Sequence, residues 1–188
     1  MIDRKDVDPK YKWDLTKIYP TEESFKADYD AAAAIIKAFP AHEKEMCKSA
    51  KGLLAVLNDE ARLEYIISKL FVYDHLEFDI DNSNNLAQAR YGRVRSLAIS
   101  ASSAGWFVNP YILRLDEKTV EQWISEEPGL ETYRRTLHKI KRQKPHTLSD
   151  ECEKLMANMG DALGSHSGIR GIFANSDLQF GKIRDENG

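Results

Sequence analysis

Leu63-Glu64-Tyr65-Ile66-Ile67-Ser68-Lys69-Leu70-Phe71-Val72-Tyr73 is the stretch that sets the fold. Leu63, Ile66, Ile67, Leu70 and Tyr73 recur at three- and four-residue steps, which puts them on one face of a helix. Working outward, the pattern predicts a helical arm that begins near Lys51. A second arm runs to about Asn109, with Leu86, Val94, Leu97, Ala98, Ala101, Ala104 and Val108 as its stripe. An arm of about 24 residues is roughly 36 Å long, enough to span a small domain. Between the arms, Asp79-Ile80-Asp81-Asn82-Ser83-Asn84-Asn85 is turn and N-cap chemistry. The expectation is a long antiparallel helical hairpin around which the other segments pack.

Upstream, residues 1–12 are polar. Trp13, Leu15, Ile18 and Tyr19 are too apolar for a free tail and are expected to pin the N-terminus onto the helical body. Asp14 suits the start of a short turn that Pro20 ends. Thr21 caps the next helix, Glu22 and Glu23 favour its positive end, and Pro40 stops it after Phe39. Phe25, Tyr29, Ala32, Ile36 and Phe39 form its stripe. Residues 41–50 read as a short polar link.

Downstream, Asn109-Pro110 is expected to break the second arm. Asp116 caps a helix from Glu117 to Glu126 that buries Val120, Trp123 and Ile124. Pro128-Gly129 turns the chain into a helix carrying Leu130, Tyr133, Leu137 and Ile140 on one side. Its other side carries Arg134, Arg135, Lys139, Lys141 and Arg142. Thr147-Leu148-Ser149-Asp150 opens a further helix that buries Leu155, Met156 and Met159. A last short helix carries Ile169, Ile172 and Phe173. Leu178-Gln179-Phe180-Gly181-Lys182-Ile183 then alternates like a half-buried strand, and Asp185-Glu186-Asn187-Gly188 is hairpin-turn chemistry. Two readings stay open there: a frayed tail, or a chain that stops before its partner strand. The fold class is therefore mainly α, a multi-helix lobe with one terminal β-strand. Residues 1–113 hold the hairpin region, and residues 114–188 a helical continuation packed in the same lobe.

The totals agree with a globular helical chain. Its 188 residues, 42% hydrophobic and 30% charged, can bury a core without disulfides. A net charge of -3 argues against nucleic acid as the main partner. Cys47 and Cys152 follow no metal-ligand pattern and fit a reducing compartment as free thiols. The highly charged Met1-Ile2-Asp3-Arg4-Lys5-Asp6 is not a secretory signal, and the apolar run Ala31–Ile36 is too short to cross a bilayer. A cytoplasmic location without membrane contact is expected.

Candidate chemistry is sparse. His42-Glu43-Lys44-Glu45-Met46 begins like the zinc-peptidase HExxH, but Met46 stands where the second imidazole is required. Asp74, His75, Glu77, Asp79 and Asp81 form an acidic cluster that reads as a solvated helix end. The basic run from Arg134 to Lys144 could bind phosphate or RNA, but the neighbouring 116–131 stretch carries Asp116, Glu117, Glu121, Glu126, Glu127 and Glu131, so it reads as a locally neutralised, solvated face. The small residues Ala98–Gly105 suit tight helix packing or the wall of a peptide groove. Ser165-His166-Ser167 has no acidic orienting partner in its pattern. No catalytic or metal residue is assigned.

Four stretches nevertheless resemble the N-terminal part of oligoendopeptidase F, a zinc oligopeptidase family related to thimet oligopeptidase. They are Tyr11-Lys12-Trp13-Asp14-Leu15-Thr16-Lys17-Ile18-Tyr19-Pro20, Leu70-Phe71-Val72-Tyr73-Asp74-His75-Leu76, Lys144-Pro145-His146-Thr147-Leu148-Ser149 and Phe173-Ala174-Asn175-Ser176-Asp177-Leu178-Gln179-Phe180-Gly181. In the last, Ser176 departs from the family's pattern. The resemblance implies a non-catalytic helical lobe, with zinc and its HExxH in a catalytic domain beyond this chain. It also implies that domain as a partner within one polypeptide, and short peptides as substrates. The isolated chain is then expected to be inactive and prone to self-association. A free-standing helical binding or adaptor protein is the alternative.

Overall fold

The computed structural model describes residues 6–80 and 84–146, and single positions beyond them: Leu148, Cys152, Leu155, Met159, His166, Ile169, Arg170, Phe173, Ala174 and Leu178. Among the described residues every regular element is helical, as the periodicity predicts. The expected strand at 178–183 lies outside them except for Leu178, which is in neither helix nor strand. The chain divides into two compact units, Met1–Arg142 and Gln143–Gly188.

In the first unit, helix α1 (Glu22–Ala38) starts with a capping box. The Ser24 N–H donates to Thr21 Oγ1 at 3.2 Å, and the Thr21 N–H donates to Ser24 Oγ at 3.3 Å. Two N–H groups that lack intrahelical partners are thereby satisfied. The helix buries Phe25 and Ala32 and half-buries Tyr29 and Ile36, the predicted stripe. A 3₁₀ turn, Phe39–Lys44, follows it.

Helices α2 (Ala50–Ile80) and α3 (Asn85–Ala104) are the two arms. At 31 residues, α2 is roughly 46 Å long. It buries Leu53, Val56, Leu57, Leu63, Ile66 and Leu70. Asn84 caps α3 by accepting the Leu86 and Ala87 N–H groups at 3.0 and 3.3 Å. The face of α3 differs from the expected one at its start: Leu86 is 83% exposed and Ala87 is buried instead. With its Cβ one position round from the Val94–Leu97 line, Leu86 faces solvent at the first turn.

The second arm also ends earlier than predicted, at Ala104. Val108–Arg114 forms a separate helix, α4. Pro110 does not break it, because a proline in the first turn gives up an N–H that has no intrahelical acceptor. Val108 is buried, but as part of α4. Helix α5 (Glu117–Glu126) has the predicted limits, with the Asp116 carboxylate accepting the Thr119 N–H at 2.9 Å. After the 3₁₀ turn Pro128–Tyr133 comes α6 (Arg134–Gln143).

The core joins Phe39, Met46, Leu53, Leu70, Phe107, Ile112, Leu130 and Leu137, all buried. Two expectations are corrected here. The 41–50 segment is no solvated link, because Met46 is fully buried. Trp13 is 63% exposed, and Tyr19 alone among the four predicted N-terminal anchors is fully buried. In the second unit, Leu155 and Met159 are helical but exposed, contrary to their expected burial, and Ile169 and Phe173 are exposed as well. Helical spacing marks a stripe, but only a neighbour buries it. Met156 and Ile172 lie outside the described residues. Among the described residues no helix is long and apolar enough to cross a membrane.

Two glycines test the packing. A Cβ on Gly52, in the first turn of α2, would come within 2.3 Å of the Glu45 carbonyl oxygen. A Cβ on Gly92, inside α3, would meet nothing within 4 Å. Gly92→Ala should therefore stabilise the chain by about 0.5–1 kcal/mol, the ordinary helix-propensity gain. Gly52→Ala should destabilise it by roughly 1–3 kcal/mol through the backbone clash. Urea denaturation midpoints for both variants check this; a stabilised Gly52→Ala would refute the close approach.

Candidate functional site

The charge-bearing centre of the first unit lies where α1, α2 and α3 meet. Asp74 continues the apolar stripe of α2, one turn after Leu70, and is only 1% exposed. A buried carboxylate needs a cation, and Arg90 of α3 supplies it. Its Nε donates to Asp74 Oδ1 at 2.5 Å. Its Nη1 donates to Glu22 Oε2 of α1 at 3.2 Å, and its Nη2 to Glu77 Oε2. The guanidinium also lies over the rings of Phe25 and Tyr73, at 5.1 and 5.2 Å from their centroids. Asp74 Oδ2 is buried and has no hydrogen-bond partner among the described residues. Burial pushes the Asp74 carboxyl up to about 6 despite the attraction of Arg90.

Next to it, Tyr19 packs edge-on against Phe25 and Tyr73, with centroids 5.3 and 5.2 Å apart. The Tyr19 hydroxyl and Lys69 Nζ both donate to Asp28 Oδ2, at 2.7 and 2.9 Å. Burial raises the Asp28 carboxyl, but these two donors outweigh it and hold it below the ordinary carboxylate value. Burial, and then Asp28, push the Tyr19 phenol far up. The whole arrangement pairs charges between helices and places no base beside a nucleophile.

The sequence candidates fall apart in space. His42 Nε2 lies 2.8 Å from Asp59 Oδ2, and its ring meets Phe39 edge-on. Met46, four residues on, points into the core. In the acidic cluster, Asp74 is buried, so the solvated-end reading fails for it. His75 is half exposed, stacks on Phe71 and lies 3.6 Å from Asp79; Asp81 is outside the described residues. In the basic run, Arg134 is bound by Glu131 and Glu121, and His138 Nε2 lies 3.0 Å from Glu121. Lys141 is not on the solvated face. It is buried, and its Nζ donates to the carbonyls of Ile112 and Leu113, at 3.4 and 3.1 Å, and to that of Leu115. Within 98–105, Ala98, Ala101 and Ala104 are half-buried, while Ile99 is exposed. Of Ser165-His166-Ser167 only His166 is described, and it is exposed. Sequence reasoning missed Arg90, Asp28 and Lys69 and put Lys141 on the wrong face. The available signal was a carboxylate at position 74 on an apolar stripe, which demands a partner.

Comparison with known proteins shows what the chain is similar to. The family model described as Oligopeptidase F matches residues 112–180. Oligopeptidase PepF of Bacillus subtilis is 28% identical over 99% of this chain, and an oligoendopeptidase F homolog of Borreliella burgdorferi is 29% identical over 97% of it. The crystal structure of oligoendopeptidase-F from Enterococcus faecium superposes with a TM-score of 0.75 and 31% identity over 89% of this chain. The chain is similar to the N-terminal region of oligoendopeptidase F proteins. It corresponds to the N-terminal region and spans about 30% of these relatives: 28% of the Bacillus protein, 31% of the Borreliella protein and 32% of the Enterococcus chain. Among the described residues no three His, Cys, Asp or Glu side chains converge. Among the described residues His42 and Asp59 are only a pair, which is too few donors for the zinc that the resemblance implies, and no step is assigned through a metal here.

The Asp74 environment carries a pH signature. The folded carboxyl, at about 6, lies above its ordinary value of 3.8, so between these pH values the folded state holds the proton more tightly. The stabilisation is full below pH 3.8 and is lost as the pH rises through 6. Its size is on the order of 3 kcal/mol. The stability of the wild type minus that of Asp74→Asn should therefore fall by about that amount between pH 4 and pH 7. Urea titrations of both proteins across this range measure it; a difference that rises with pH would contradict the buried carboxyl.

Proposed function

We propose that this chain is the non-catalytic N-terminal lobe of a peptidase that hydrolyses short peptides with a zinc-activated water. The zinc and its ligands would belong to a catalytic domain of the same polypeptide. One observation carries the reading: nearly all of this chain aligns with about 30% of several oligopeptidases. Leu148, Leu155, Ile169 and Phe173 support it, because they are large, apolar and exposed. Large apolar side chains left in solvent suit an interaction face, and the rest of a longer polypeptide would be their natural cover. The lobe would form one wall of the space that admits oligopeptides. The exposed Cys47 thiol, in no disulfide, fits a reducing cytoplasm.

Two outcomes check this. A polypeptide that extends this chain through an HExxH segment should cleave a quenched fluorogenic peptide, and a zinc chelator should abolish the cleavage. The 188-residue chain alone should show none, with or without His42→Ala. Chelator-sensitive cleavage by the 188-residue chain would overturn the assignment of a non-catalytic lobe. Secondly, the isolated chain should self-associate through its uncovered apolar residues. Light scattering should show the apparent mass rising with concentration, and replacing Leu155 and Ile169 with Ser should reduce the rise.

A further inference from the structure

Helices α1 and α3 line a groove of about 280 Å³ that the preceding account leaves without a role. Its apolar lining is Phe25, Tyr29 and Val94; Phe25 and Val94 are buried and Tyr29 half-buried. The helical register makes the groove, because positions 22, 25, 26, 29 and 30 of α1 face positions 90, 93 and 94 of α3.

The charges around this apolar lining are unequal. Lys26 is bound to Asp30 one turn along α1. Glu22 is bound to Arg90 across the groove. Arg93 lines the groove, is exposed, and has no acidic partner among the described residues. Three cations (Lys26, Arg90, Arg93) therefore meet two carboxylates (Glu22, Asp30) at this lining. Arg90 is held further by Asp74 and Glu77, which leaves the Arg93 guanidinium as the donor open to a ligand. A guanidinium binds a carboxylate through two parallel N–H bonds. Its position beside Phe25 and Tyr29 selects a carboxylate that also carries an apolar group.

We propose that this groove binds the C-terminal residue of a short peptide, with the α-carboxylate on Arg93 and an apolar side chain against Phe25 and Tyr29. The volume sets the ligand's size. It lies just below the roughly 300–1,000 Å³ of ordinary small-molecule sites, so it takes one residue and not an extended chain. Glu22 and Asp30 on the opposite wall would repel a second carboxylate, which disfavours acidic side chains at that position. The choice of a peptide as ligand rests on the peptidase reading; the anionic, apolar character of the ligand rests on the groove alone.

N-acetyl-phenylalanine and N-acetyl-phenylalanine amide are the probes, titrated into the ¹⁵N-labelled 188-residue chain by NMR. The acid should shift the Phe25, Arg93 and Val94 signals saturably, and the amide should bind at least 10-fold more weakly. Arg93→Gln should weaken the acid at least 10-fold with its backbone spectrum otherwise intact, whereas Arg135→Gln on α6 should change nothing. Equal binding of acid and amide, no saturable shift, or acid binding unchanged by Arg93→Gln would each overturn the proposal. Peptide cleavage by the longer polypeptide without carboxylate binding here refutes only the groove. Carboxylate binding without any cleavage refutes only the peptidase reading.

Discussion

The first unit depends on a carboxylate that has been taken out of water. Asp74 occupies a position on α2 where an apolar residue would continue the stripe, and its burial is nearly complete. Such a group must be matched locally. Arg90 is the match, and the same guanidinium also reaches Glu77 on α2 and Glu22 on α1. One side chain from α3 therefore ties together the three longest helices. A buried pair of this kind adds little net stability compared with a well-packed apolar pair, yet removing one partner costs about 3–5 kcal/mol. Its effect is on register: a slip of α3 by one residue would swing the guanidinium about 100° away from Asp74 and leave the charge uncompensated. The groove between α1 and α3 follows from the same tie, because Arg90 fixes which face of α3 meets α1.

Lys141 repeats the principle at the other end of the unit. Helix α4 has only seven residues, and its last carbonyls lack intrahelical donors. Lys141 Nζ collects the carbonyls of Ile112, Leu113 and Leu115. Positive charge is favoured at a helix C-terminus, and here it arrives from α6. Both devices use a long basic side chain whose alkyl stem packs in the core while its head satisfies groups on another helix.

Local chemistry made much of this fold legible. Thr21 and Asp116 are caps whose side chains bond to N–H groups just ahead of them, so spacing alone located them, and it narrowed the cap of α3 to the stretch that holds Asn84. Stripes such as Leu63, Ile66 and Leu70 need only helical geometry and a neighbour. Residues whose fate is set by a distant partner were not legible. Lys141 looks like the rest of a basic face until the carbonyl ends of α4 are placed against it. Asp74 looks like helix-end polarity until Arg90 approaches from sixteen residues away. Met46 looks like part of a polar link until Phe39 and α2 close over it, and Leu86 looks buried until its turn is found at the edge of the packing.

The resemblance to oligoendopeptidase F rests partly on these same tertiary devices. The Tyr11–Pro20 stretch contains Asp14, which accepts the Thr16 N–H at 3.1 Å, and Tyr19, which is bound to Asp28. The Leu70–Leu76 stretch contains Tyr73 and Asp74. More than fifty residues apart in sequence, the two stretches meet where the Tyr19 and Tyr73 rings pack edge-on at 5.2 Å. Their physical content is the docking of the N-terminal segment onto α1 and α2, beside the Arg90 tie. Signature residues such as Tyr19, Tyr73 and Asp74 are engaged in holding helices together, which is the work of a scaffold. The surfaces that this scaffold leaves open to solvent are then the exposed apolar side chains of the second unit and Arg93 at the groove between α1 and α3.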